Sequence, residues 1–459
     1  MKINTTLTPQ SLQRNIDRFF ELSGSKILQI GKTWDPDLGA PVFTKEGRFT
    51  SRGWTEWTQG FQFGSAILQY DATGDPAFLE SGRKDTMHYM AVHITHMGVH
   101  DHGFNNVSTY GNLLRLMNEG NISENEWERN CYELALKCSG AVQARRWSTT
   151  KEGGGYIYSF NGPHSLFADT IRTLRSLAVS YRLGHVLFEE NDRKINLLER
   201  LLHHARTTAK YSVYYGEGRD AFDVRGRVAH ESIFNSTDGA YRCPNSQQGF
   251  SPFTTWTRGL AWIMCGFAEE LEFIDSLTDK ELQPFGGKAD VESMMLKAAR
   301  AACDFYIVNT PVDGIPYWDT GAPMLDKLGN YLDRAADPFN DREPVDSSAA
   351  AIAAQGLLRL GKYLTGKKEP EGERYWLAGL TVLSTLLQPP YLSEDPSHQG
   401  LILHSVYHRP NGWDHIPPGR KIPCGESSMW GDYHAREVAL YVQRHIKKDR
   451  YLIFWKTKE

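Results

Sequence analysis

About twelve stretches of this chain repeat apolar residues at spacings of three and four, the period of an amphipathic helix. They run near 9–22, 58–72, 80–97, 108–118, 123–139, 165–184, 190–211, 256–275, 289–309, 346–364, 373–388 and 430–446. Short links alternate with long Gly/Pro/Asn/Asp-rich ones at 212–255, 310–345 and 389–429, and connections of that length inside a compact domain are usually functional. Twelve helices joined in this way predict an all-α fold, the (α/α)6 barrel, in which six helical hairpins close into a toroid. The long loops then wall an active-site cleft at one end. An open solenoid would show a fixed sequence period, and none is visible. Strand signals are local, at Tyr156–Phe160 and Leu401–Tyr407. No linker or low-complexity tract interrupts the chain, so residues 1–459 are read as one barrel domain.

Composition narrows the function. Lys plus Arg total 51 against 55 for Asp plus Glu, a formal net charge of -4, which argues against nucleic acid held on a broad basic surface. The most apolar short run, Ala349–Ala354, is far below the ~20 residues of a membrane helix. Met1–Thr6 lacks the apolar core of a secretory signal. A soluble, cytoplasmic protein without nucleic-acid or membrane partners is expected, its oligomeric state open. The six cysteines form no CxxC pair and are expected to be reduced and mostly buried. Aromatic residues are plentiful: 12 Trp, 21 Tyr and 21 Phe, many beside Gly, Asn, His or Asp. Such mixed stretches suit a carbohydrate cleft, where ring faces stack on sugar C–H groups and polar neighbours bond hydroxyls.

Four patches could carry chemistry. In the predicted helix 165–184, Phe167, Ile171, Leu174, Ala178 and Tyr181 form an apolar stripe, with Asp169, Ser165, Thr173 and Ser176 opposite. That polar face is either solvated, the reading the residues alone favour, or turned into a central cleft. In His100-Asp101-His102-Gly103-Phe104, a metal site would require both imidazoles to converge, with no Cys or Glu cluster beside them. A loop that holds Asp101 between imidazoles fits better, and no metal or cofactor is expected. Asp101 and Asp169 could pair as glycoside cleavage requires. Around Gln248, Trp256, Arg258 and Trp262, one reading is core tryptophans with a surface Arg. The other is a sugar-acid site in which the Arg fork takes a carboxylate. Asp346-Ser347-Ser348 before an Ala run reads as a structural N-cap.

Taken together, and in order, the motifs resemble the unsaturated glucuronyl hydrolases (glycoside hydrolase family 88), with the unsaturated rhamnogalacturonyl hydrolases as cousins. The likeness runs from near residue 54 to residue 433. It rests on Thr58-Gln59-Gly60-Phe61-Gln62-Phe63-Gly64, His100–Phe104, Phe167-Ala168-Asp169-Thr170, Gln248-Gly249-Phe250 with Trp256-Thr257-Arg258-Gly259 and Ala261-Trp262, Asp346–Ala353, and Tyr407-His408-Arg409-Pro410 with Trp430-Gly431-Asp432-Tyr433. The resemblance implies the same barrel and a hydrolysis that begins by protonating C4 of a 4,5-unsaturated uronic acid at a nonreducing end. Water adds at C5 and the hemiketal collapses. It makes Asp169 the general acid and the base for water, and Asp101 the second essential carboxylate. His230, Gln248, Trp256, Arg258, Trp262 and Gln62 become substrate-binding candidates, and the partner a small oligosaccharide ending in a uronic acid.

This sequence departs from the family pattern at Gln62, where an aromatic is usual, at Gly162-Pro163-His164-Ser165, and at Gln247, where a His is common. Alternatives are a hydrolase of a saturated uronic-acid glycoside using the same two Asp residues, a sugar epimerase using His230 with His404 or His408, and a noncatalytic glycan binder.

Overall fold

The computed structural model describes residues 1–53 and 56–456; residue 54, where the resemblance begins, lies outside them. Twelve helices of eight residues or more are present among the described residues. They are α1 Gln13–Thr33, α2 Gln59–Thr73, α3 Pro76–Tyr89, α4 Asn112–Glu119, α5 Glu126–Arg145, α6 Arg175–Arg182, α7 Leu197–Tyr211, α8 Thr257–Asp275, α9 Lys288–Val308, α10 Ser347–Gly366, α11 Glu371–Leu386 and α12 Met429–Lys447. The inner ring passes from α2 through the segment 102–119 to α6, α8, α10 and α12, and α12 packs back on α2 to close it. The other helices flank this ring, as α5 does α6 and α11 does α10. This is the (α/α)6 barrel.

Inner helices are buried on nearly every face, which explains their composition. In α10 every residue from Ser347 to Gly361 is buried, and a Cβ at Gly356 would lie 2.8 Å from the backbone of Met264 and Cys265. Small side chains there let α8 and α10 touch backbone to backbone. Asp346 caps α10 by accepting from Ser348 N (3.0 Å) and Ala349 N (3.4 Å), the structural role its sequence context predicts.

Several local expectations give way to tertiary structure. The segment 165–184 is not one helix. Ser165–Phe167 is a strand paired with Glu231–Phe234, Asp169 sits in the following turn, and helix resumes at Thr170–Thr173 and then α6. Its supposed cleft face belongs partly to the core, because Thr173 and Ser176 both bond the buried Gln143 of α5. Residues 401–407 form no continuous strand; the Leu401 and Ile402 amides donate to Asp432 instead. Helix α1 runs on to Thr33, past Ser23-Gly24-Ser25, since Ser23 donates to Gln69 of α2 and Gly24 lets Phe78 approach. Short two- and three-stranded sheets decorate the loops. Of the six cysteines, all unpaired, Cys265, Cys303 and Cys424 are buried, Cys131 and Cys138 half-buried and Cys243 exposed, fewer buried than expected. Among the described residues no helix is long and apolar enough to cross a membrane.

Candidate active site

The long loops enclose a cavity of about 410 Å³, walled by aromatic rings and floored by polar groups. Two loops supply the floor. His100 and Asp101 precede a short helical turn, His102–Asn105. Gly103 in that turn packs so tightly on the backbone after Asp169 that a Cβ would collide with the Thr173 carbonyl. Arg175 Nε donates to Gly103 O (2.8 Å), and Gln143 Nε2 to His100 O (2.8 Å). These contacts fix the loop against the Asp169 turn, which is anchored in turn by Ala168 N donating to His230 O (2.8 Å).

The result is one imidazole between two carboxylates. His100 Nε2 lies 3.1 Å from Asp169 Oδ1 and 3.8 Å from Asp101 Oδ1, all three side chains nearly inaccessible. Burial pushes the Asp101 carboxyl up to about 6; His100 pulls the other way, and the Asp169 charge adds to the rise. Burial also opposes ionisation of Asp169, but His100, by charge and hydrogen bond, holds it below the usual carboxylate range. His100 is raised, its burial outweighed by the two carboxylates. Three groups this close titrate as a unit, poised to hold and pass a proton near neutral pH. The other histidine of the motif points elsewhere: His102 is buried against Ser139 and the His96 carbonyl.

Gln248, Trp256, Arg258 and Trp262 all reach the cavity wall, but Arg258 differs from expectation. It is buried, with Nη1 donating to Asp346 Oδ2 (3.0 Å) and the Val406 carbonyl. Nη2 donates to Gln248 Oε1 (2.8 Å) and Tyr407 O (2.7 Å). Its guanidinium also stacks on Trp256 and Trp430. The fork that was expected to take a substrate carboxylate is therefore spent on clamping three loops together.

His230, by contrast, is not part of the wall. It lies beneath, its ring against Phe167 (4.6 Å) and Trp256 (4.5 Å). Its Nδ1 accepts the Gln247 and Gln248 amides (3.1 and 3.3 Å), and burial pulls its pKa down to about 3. A neutral ring that shapes the Gln247–Gln248 loop is a positioning group. Gln62 is misplaced outright: it lies on the far side of α2, beside Ile27 and Ile30 of α1, accepting from Gln59 Nε2 (2.8 Å). His164 is exposed. His404 is also outside the cleft, its ring against Phe339 and Tyr391, whereas His408 lines it. An epimerase pair across the sugar is not assembled.

The cavity adds residues that sequence reasoning did not single out as site residues: Arg52, Trp57, Phe160, Asn411, Trp413 and His100 itself. His100 had a signal, its place beside Asp101. Trp413 and Asn411 follow the Tyr407–Pro410 motif closely enough to have been included with it.

A barrel whose mouth holds an Asp–His–Asp acid/base cluster under aromatic walls defines a class of carbohydrate-active architecture, and the comparisons narrow it. The chain is 25% identical over 397 residues to the unsaturated glucuronyl hydrolase of Bacillus sp. (strain GL1), covering 85% of this chain and 87% of that protein. It is 21% identical over 393 residues to the unsaturated chondroitin disaccharide hydrolase of Streptococcus agalactiae, covering 84% and 81%. The crystal structure of the Bacillus sp. GL1 enzyme superposes with a TM-score of 0.70 at 22% identity, over 96% of this chain and 98% of that one. An unsaturated glucuronyl hydrolase specific for heparin gives 0.71 at 20%, over 97% and 100%. No family model matches. The resemblance read from the motifs is thus borne out across most of the chain, and the barrel with it.

Proposed function

We propose that this chain is a glycoside hydrolase that removes the 4,5-unsaturated uronic acid from the nonreducing end of lyase-generated oligosaccharides. The observation that carries the reading is the shared imidazole: one buried His100 nitrogen stands between two carboxylates on the floor of an aromatic cleft. Hydration of the vinyl ether needs a proton at C4 and water at C5. Asp169 is the general acid in this reading, and it receives its proton from His100 across the 3.1 Å hydrogen bond. Protonation of C4 leaves positive charge at C5 and an Asp169 carboxylate. That carboxylate takes a proton from the attacking water and hands it back to His100. The hemiketal then collapses and frees the aglycone. Asp101, whose carboxyl burial pushes up to about 6, sets the charge of the cluster and positions the sugar. Trp256 and Trp262 supply stacking faces, and Gln248 is held in place by Arg258.

The substrate in this proposal is a small oligosaccharide with a terminal unsaturated uronic acid, acted on in the cytoplasm; the exposed, unpaired Cys243 fits a reducing compartment. Loss of the ultraviolet absorbance of the conjugated uronate, over a panel of lyase-generated disaccharides, tests it. Wild type is expected to consume at least one member and Asp169→Asn none. A folded wild-type protein that consumes none overturns the reading. Two carboxylates within about 7 Å of one another, as their common neighbour requires, also suit acid/base cleavage of a saturated uronide. Sugar release from a saturated uronide without any change in absorbance would select that reaction.

A further inference from the structure

With Arg258 spent, the cleft has one other guanidinium. Arg52 leaves the strand Arg48–Ser51 at the rim, half-buried, and among the described residues it makes no ion pair or side-chain hydrogen bond. Its Cζ lies 4.2 Å from the Trp413 ring centre and 5.8 Å from that of Tyr407. Stacking fixes the plane of the guanidinium and leaves its edge donors unspent, the arrangement that favours a planar or tetrahedral oxyanion. Arg52, Tyr407 and Trp413 also line a second cavity of about 240 Å³ on the rim. Its wall adds the exposed Lys45 and the half-buried His415, with Thr44 and Thr50 as hydroxyl neighbours. The acid in that wall, Asp414, is already committed to the Tyr407 and His408 amides. The Thr44 and Thr50 hydroxyls already donate to Glu426 and to the Phe43 carbonyl, so the rim offers cations, without a competing free carboxylate among the residues that line it.

Resting on the function proposed above, we infer that Arg52, stacked on Trp413, is a specificity residue that grips an anionic substituent, a sulfate ester or a carboxylate, on the sugar beyond the scissile bond. The uronic acid sits over Asp101 and Asp169, and the next residue of the oligosaccharide extends toward the rim, where Lys45 adds longer-range attraction. The preference this creates is for charged over neutral aglycones. It weakens with salt, because the rim is solvated.

The test uses three unsaturated disaccharides: a uronyl-N-acetylgalactosamine without sulfate, the same with a 6-O-sulfate, and a diuronate. Binding is measured by titration calorimetry on full-length Asp169→Asn protein, with and without Arg52→Met or Arg52→Lys, and turnover on the Asp169 protein. Wild-type Arg52 is expected to favour a charged member over the neutral one by about tenfold, the effect of one charge-assisted contact. Arg52→Met should erase that ratio, and Arg52→Lys, which keeps charge but loses the stacked fork, should restore only part of it. The sulfated and carboxylated arms say which anion is meant. Equal binding of all three, or a ratio that survives Arg52→Met, overturns the inference. A binding ratio that tracks Arg52 in a protein showing no turnover would sink the proposed reaction and leave the anion subsite standing.

Discussion

Three residues beyond Asp169, Arg172 donates to Glu269 Oε2 (2.5 Å) and Glu437 Oε2 (2.9 Å), and Arg175 reaches Glu437 Oε1 (3.3 Å). At the cleft floor, Asp101 and Asp169 share the single imidazole of His100. Both clusters are buried, yet they ionise differently. In the first, Arg172 and Arg175 face Glu269 and Glu437, and a third buried guanidinium, Arg359, lies 4.0 Å from Glu269. Burial opposes the charge of Glu437, and the two arginines still hold its carboxyl far below the ordinary range. In the second, acids outnumber the base, and Asp101 rises to about 6 while Asp169 falls. Ample positive charge fixes protonation and makes a strut; a deficit of positive charge leaves a mobile proton and makes an acid/base site. The barrel needs both, and it places them a turn of chain apart.

Asp169→Asn breaks the comparison at its most sensitive point. The amide keeps the shape and loses the proton carrier. Turnover of the unsaturated uronate should fall by about 10³-fold or more, with the far-ultraviolet spectrum and melting temperature little changed. A fall of less than tenfold in the absorbance assay would remove Asp169 from the acid's role.

Glu437→Gln makes the reverse change in the strut. Arg172 and Arg175 then remain buried with half their countercharge gone, and breaking such a pair costs about 3–5 kcal/mol, a large share of a typical folding free energy. The denaturant midpoint should drop sharply, while the fraction still folded keeps its KM. A variant as stable as wild type would mean that the axial charges are bystanders.

Asp101→Asn sharpens the electrostatic contrast through pH. A carboxylate raised from its unfolded value of 3.8 to about 6 binds more protons folded than unfolded, so its ionisation makes wild type lose stability as pH climbs between those values. The amide carries no such cost. The variant's melting temperature should therefore gain on wild type from pH 4 to pH 7, by about a few degrees. A constant difference across that range would show that Asp101 titrates normally.

The barrel was legible because helical periodicity is a local signal, and eleven of the twelve predicted segments persist in substance as helices. The segment at 165–184 failed because its partner strand, Glu231–Phe234, lies far along the chain, beyond any window that reads periodicity. The same distance hides the fate of Arg258: its acceptors belong to Asp346, Val406 and Tyr407, so an exposed fork and a spent one look identical in sequence. His230 was found by its place in a motif, but its burial beneath Trp256 depends on packing. Asp101 and Asp169 could be named as a pair from their motifs; that one imidazole joins them could be read only from the structure.

Gln62 offers the smallest effect and a clean check on that limit. Its position in the first inner helix suggested a substituted aromatic platform, and a platform residue should matter for binding. The structure turns it to the outer side of α2, toward Ile27 and Ile30, where its amide oxygen accepts from Gln59. Gln62→Ala should therefore leave kcat/KM within about twofold and stability within about 0.5 kcal/mol, as for other substitutions away from a core or a site. Should KM instead rise tenfold with kcat held, the residue contacts substrate after all, and the register of α2 against the cleft would have to rotate by about one position, 100° around the helix. That rotation would also carry Phe61 out of its contacts with Tyr433 and His434 of α12, so the same variant tests how the inner ring closes.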